Sequence, residues 1–185
     1  DVMGNDVVQL PGDAGSFAAQ RVLEEGVGPV PVTIKAEAGK AGFAQLSVAQ
    51  LPTVGPPPPP AADLARCLGL SPNDVLTGDW GPEGRSCGTP FLMVPVRDRR
   101  ALARARPNLD AWESVLAEYW TNKVFFFCNE PELAGPHYRA GLFAPRIGVP
   151  EDPATGSACA GFAGYLADRD ERRDGTLGWR VEQGF

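Results

Sequence analysis

Gly148-Val149-Pro150-Glu151-Asp152-Pro153-Ala154-Thr155-Gly156-Ser157-Ala158-Cys159-Ala160-Gly161-Phe162-Ala163-Gly164-Tyr165-Leu166-Ala167 is the stretch on which the reading of this chain turns. Pro150 and Pro153 keep the first part extended, because proline fixes its own φ and biases the residue before it away from the helical region. Gly156 permits close backbone approach, and Ser157 is suited to cap a helix over residues 157–167. That helix carries no charge and consists mostly of small residues. Apolar on every side, it is expected at the centre of a fold, where small side chains let neighbouring backbone come close. Its start is expected to present free amides carrying about half a positive charge, which attract a carboxylate or phosphate without any Lys or Arg.

Outward from this stretch, residues 123–128 and 138–144 read as strands before it, and 179–183 as a strand after it, beyond the charged turn 168–174. Leu109, Trp112, Val115, Leu116 and Tyr119 recur at helical spacing and predict an amphipathic helix with its stripe toward the core. Residues 86–96 include Phe91-Leu92-Met93-Val94, a buried-strand pattern, and 61–70 predict a short helix with Asp63 in its first turn. Residues 20–25, 30–37 and 43–49 read as three consecutive antiparallel strands separated by Gly-rich turns, and residues 1–16 as a loop. The proline run over 56–60 cannot donate ladder hydrogen bonds and favours extended geometry. It predicts a stiff connector, with 1–51 as a remnant of a first domain, 52–60 as linker and 61–185 as a second domain. The element order implies an α+β fold, a curled mixed or antiparallel sheet around a central buried helix.

Composition narrows the partners. With 43% hydrophobic and 22% charged residues the chain is globular in character despite 19 Pro and 22 Gly. A net charge of -6, with no basic stripe, disfavours a nucleic acid partner. The four cysteines, Cys67, Cys87, Cys128 and Cys159, form no CxxC pair and there is one histidine, so free thiols are expected and a metal site is not. No apolar run approaches the roughly 18 residues of a membrane span, and no signal core follows Asp1, so a cytoplasmic protein without a membrane partner is expected. The start at Asp1 and the end at Phe185 in a strand-like run suggest processed or cut ends.

Chemistry concentrates at Asp152, Thr155, Gly156 and Ser157. A carboxylate before a helix start can cap the helix, or it can hydrogen-bond a polar substrate beside the anion site; residue chemistry alone leaves both open. Glu151 points to the opposite side from Asp152 in an extended segment and does not share its site. Cys159, one turn inside the helix, reads as packing. His137 reads as structural, with Arg139 on its face of the strand.

The stretch 148–167 resembles the signature loop and helix of the phenazine-biosynthesis PhzF family, similar in fold to diaminopimelate epimerase. Cys87-Gly88-Thr89-Pro90-Phe91-Leu92-Met93-Val94-Pro95-Val96 resembles a family strand, and His137-Tyr138-Arg139 through Phe143-Ala144-Pro145 resembles the strand leading into the signature loop. Gly28-Pro29-Val30-Pro31-Val32 and Arg180-Val181-Glu182-Gln183-Gly184 also fit. The resemblance implies two domains, each wrapping sheet around a central helix, with the active site between the helix starts. It implies cofactor-free proton transfer on a small carboxylate-bearing metabolite; in the best-known member a glutamate moves a proton between ring carbons of dihydro-hydroxyanthranilate. On this reading Asp152 is the candidate catalytic residue, holding and orienting the substrate, and Thr155, Gly156 and Ser157 bind it.

Two departures accompany the resemblance. The family's glutamate in an SETAF-like segment and its histidine in a GHPTLG-like loop have no counterpart in this chain. Related racemases carry a cysteine where Thr155 stands, and a hydroxyl of far higher pKa does not replace a thiol acid and base. The rival expectation is a non-catalytic metabolite-binding or dimerisation module; a homodimer is expected on either, because a half-covered domain exposes apolar surface.

Overall fold

A computed structural model describes residues 16–25, 28–37, 39–40 and 42–184; the loop expected over 1–16 lies outside them except for Ser16. The chain divides into two compact units, Asp1–Ala49 and Gln50–Phe185. In the first, β1 (Ser16–Glu25), β2 (Gly28–Glu37) and β3 (Phe43–Leu46) pair antiparallel in the order β1-β2-β3. Val22, Phe43 and Leu46 are exposed there, while Val30 is buried.

The second unit holds a seven-stranded mixed sheet in the order β10-β8-β7-β6-β5-β4, with β9 also paired to β8. Its strands are β4 (Thr53–Val54), β5 (Glu83–Ser86), β6 (Pro90–Pro95), β7 (Val124–Cys128), β8 (Tyr138–Ala144), β9 (Val149–Asp152) and β10 (Val181–Gln183). The stretch 86–96 is thus the turn and second strand of a hairpin. Its helices are α1 (Ala61–Cys67), α2 (Arg99–Arg104), α3 (Leu109–Leu116) and α4 (Gly156–Ala167). The proline run is fastened to this unit: Gly55 N–H donates to the Gly84 carbonyl at 2.8 Å, and Tyr119 Oη donates to the Pro56 carbonyl at 2.9 Å. The Trp120 ring covers Gly55 so closely that a Cβ there would lie 2.4 Å from it.

Alternation along β6 and β7 builds two cores from one sheet. Leu92, Val94, Val124 and Phe126 face α1, α2 and α3, with Leu64, Leu102, Trp112 and Leu116. Phe91, Met93, Phe125 and Phe127 face α4, with Phe162 and Tyr165. Strands buried on both faces read as continuous apolar runs, which accounts for Val124-Phe125-Phe126-Phe127-Cys128. Within the expected stripe on α3, Trp112 and Leu116 are buried, whereas Leu109 is 62% exposed.

The expectation that α4 is enclosed on every side is corrected by its burial pattern. Ala158, Gly161, Phe162, Tyr165 and Leu166 are buried, while Cys159, Ala160, Ala163 and Ala167 are half-buried. Small outer residues make partial exposure inexpensive. The inner glycines serve close approach: a Cβ on Gly164 would lie 2.3 Å from Pro52 Cβ, and one on Gly161 3.1 Å from Met93. Past the last turn, Asp168 pairs with buried Arg85, which also pairs with Glu83 at 2.5 Å.

Candidate active site

Two strands share the outer edge of β8, because β7 occupies the inner one along its length. β10 runs parallel to the first half, with Gln183 opposite Ala140, and β9 runs antiparallel to the second, with Asp152 opposite Leu142. The end of β10 and the end of β9 therefore meet two residues apart along β8, roughly 7 Å. That junction is where Asp152, Thr155 and Gln183 come together.

After Asp152 the chain turns at Pro153 into α4. Asp152 Oδ2 accepts from Thr155 Oγ1 at 2.8 Å, and Oδ1 accepts from the Ala154 amide at 3.3 Å. Gln183 Nε2 donates to the Asp152 carbonyl at 2.8 Å and to Thr155 Oγ1 at 2.9 Å, and Gln183 Oε1 accepts from the Thr155 amide at 3.1 Å. Gly184 makes room beside the loop: its φ is +82° and a Cβ would lie 2.5 Å from the Pro153 carbonyl oxygen.

The helix begins one residue earlier than expected. Thr155 is the N-cap residue and no side chain caps the first turn; Ser157 lies inside that turn and is not the cap. The Thr155 carbonyl accepts from the Cys159 amide at 3.1 Å, but its hydroxyl is turned onto Asp152 instead of the helix amides. Gly156 and Ser157 are exposed, Thr155 is buried and Asp152 is half-buried. The loop thus orients a carboxylate beside an open helix start, an arrangement able to accept an anion and hold a polar group next to it.

Neighbouring candidates fall elsewhere. Glu151 lines a separate cleft of about 370 Å³ with Arg106, Arg139 and Phe126. His137 Nδ1 accepts from the Arg180 amide at 3.0 Å, tying the start of β8 to the approach of β10. Arg139 is buried beside Glu182 and pairs with Glu132. Burial pushes the Cys159 thiol pKa up, so it stays protonated at neutral pH. Sequence reasoning missed Gln183: a polar residue on a short edge strand carries no signal of a partner 28 residues away. Among the described residues no cluster of three or more His, Cys, Asp or Glu is placed to hold a metal ion, and no helix is long and apolar enough to cross a membrane.

With this geometry in place, the family model of phenazine biosynthesis-like proteins, PhzC-PhzF, matches residues 12–185. The chain belongs to this family. It is 30% identical over 182 residues to an uncharacterized isomerase of Mesorhizobium japonicum, covering 97% of this chain and 59% of that protein. The structure of the Bacillus anthracis phenazine biosynthesis protein of the PhzF family matches with a TM-score of 0.77 at 26% identity, over 90% of this chain and 56% of that one. A predicted epimerase from Pseudomonas aeruginosa matches with a TM-score of 0.66 at 27% identity, over 89% and 54%. The mixed α+β fold is thus that of PhzF-family structures over about half their length. The chain spans little more than half the length of each of these three relatives.

Proposed function

We propose that the whole protein is a PhzF-like isomerase or epimerase that moves a proton on a small carboxylate-bearing metabolite without a cofactor. The observation that carries this reading is the uncapped, exposed start of α4 beside a carboxylate braced by Thr155 and Gln183. The Gly156 and Ser157 amides bind the substrate carboxylate. Asp152 holds and orients the polar group next to the reacting carbon, with Thr155 fixing its direction. The reaction breaks one C–H bond, parks the electron pair in the conjugated substrate and returns a proton at another carbon or face. The relatives' descriptions as isomerase and epimerase support this class. The base that takes the proton is assigned to the family's glutamate-bearing segment, which has no counterpart in this chain. Residues 1–51 belong in this reading to a first diaminopimelate epimerase-like domain and residues 61–185 to a second, each curling sheet around its helix, joined through 52–60.

A second reading has one observation in its favour: both Asp152 oxygens already accept bonds within the turn, as a purely structural loop would arrange. In that case the chain is a non-catalytic module. Titration with benzoate, followed through amide chemical shifts, separates the two. The enzyme reading expects saturable shifts at Gly156 and Ser157 whose affinity responds to Asp152→Asn in a protein of unchanged stability. Silence at both amides would sink it.

A further inference from the structure

Beside the last turn of α4, away from Asp152, a second cleft of about 470 Å³ opens on the sheet. Its floor is Val96, Phe127 and Cys128, all buried, and its walls include Trp80 and Tyr138. The bridge between Val75 and Val96 fixes the segment that carries its mouth, Leu76 and Thr77, against the sheet. Trp80 is held in place by Tyr165, 6.2 Å away between ring centroids, and by the Arg169 guanidinium 5.9 Å above its ring. Even so, Trp80 is 42% and Leu76 37% exposed. This is a preformed apolar hollow with aromatic sides, of the size that one or two fused or linked rings fill.

Its polar equipment is specific in kind. Thr77 Oγ1, the Asn129 side-chain amide, Tyr138 Oη and Trp80 Nε1 bond to no other described residue. Together they offer donors and acceptors around an apolar floor. Among the described residues no charged side chain lines the cleft, so a charged ligand would lose hydration there without gaining an ion pair. Aromatic walls favour tilted ring–ring contact over an aliphatic chain. We infer that the Trp80 cleft is a second small-molecule site, one that takes a neutral aromatic compound carrying a hydroxyl or amide group. It is independent of the anion site at α4, and its ligand differs from that site's in charge.

The test uses the full chain and a matched pair of probes, 4-hydroxybenzamide and 4-hydroxybenzoate, followed by nitrogen–proton correlation spectra. The neutral amide is expected to move the Trp80 indole N–H and the Asn129 side-chain amide saturably while leaving Gly156 and Ser157 in place. Trp80→Ala is expected to weaken it about tenfold. Because Trp80 also packs on Tyr165, Asn129→Leu at an exposed position gives a second readout, an expected loss of about fivefold with an unchanged spectrum elsewhere. Absence of shifts at Trp80 and Asn129 at millimolar probe, unchanged affinity in both variants, or equal binding of the benzoate at this cleft would each overturn the inference. The Gly156 and Ser157 amides report the anion site separately in the same spectra.

Discussion

Gln183 grips Thr155 at two atoms, accepting from its amide at 3.1 Å and donating to its hydroxyl at 2.9 Å, while the same Nε2 reaches the Asp152 carbonyl at 2.8 Å. β10 thereby sets the direction of a carboxylate 31 residues earlier in the sequence. The loop is held by β10, not by its own turn alone.

Gln183→Ala removes all three bonds and leaves the amide of buried Thr155 without its partner. The expected cost is about 1–3 kcal/mol. A lowered urea midpoint with unchanged slope checks it, and benzoate shifts at Gly156 should weaken together with it.

Asp152→Asn keeps an oxygen able to accept from Thr155 Oγ1 but removes the charge. Stability should change by less than about 1 kcal/mol. In the whole protein, turnover on its substrate should fall by about 10²-fold, the scale on which misplacing a bound substrate slows its reaction. A full retention of turnover would remove Asp152 from the reaction.

Gly184 and Gly175 form a matched pair, with φ of +82° and +84°. A Cβ on Gly184 meets the Pro153 carbonyl oxygen at 2.5 Å, whereas one on Gly175 meets nothing within 4 Å. Gly175→Ala should cost only the left-handed backbone strain of about 1–2 kcal/mol. Gly184→Ala should exceed it by about 1–3 kcal/mol of steric displacement and disturb the Asp152 loop. Thermal midpoints of the two variants provide the comparison.

Burial pushes the Tyr119 and Tyr165 hydroxyls up to about 12, from an ordinary 10.0, and raises Tyr138 as well. The unfolded chain ionises first, so these groups lend stability that is complete below pH 10 and is lost as pH rises toward 12. Ultraviolet titration of the folded protein should show tyrosinate delayed beyond the free-tyrosine range, with stability to urea falling over the same interval. Tyrosinate appearing at the ordinary pH in a folded chain would contradict the burial.

Much of the fold was legible because local pattern and final position agree. The apolar run in β7 and the spacing of Trp112 and Leu116 each report burial directly. The ends of elements were less legible. Leu109 falls on the predicted stripe yet opens α3 at the surface, since the first turn of a short helix need not face the core. The enclosure of α4 was overestimated because Ala and Gly read as apolar while tolerating partial exposure. The tying of the proline run to Gly84 and Tyr119 lies in no local signal, because its partners are distant in the chain.

At the site, the chemistry of Pro150 to Ser157 alone determined an extended acidic approach and a helix start with open amides, since proline, glycine and the absence of charge act through neighbouring residues. Only the tertiary structure decided that Thr155 caps by position and turns its hydroxyl to Asp152, and that Gln183 completes the brace. The reason is that β9 and β10 are laid end to end along one edge of β8 by the burial of a two-faced sheet, and such a register depends on packing across the whole unit.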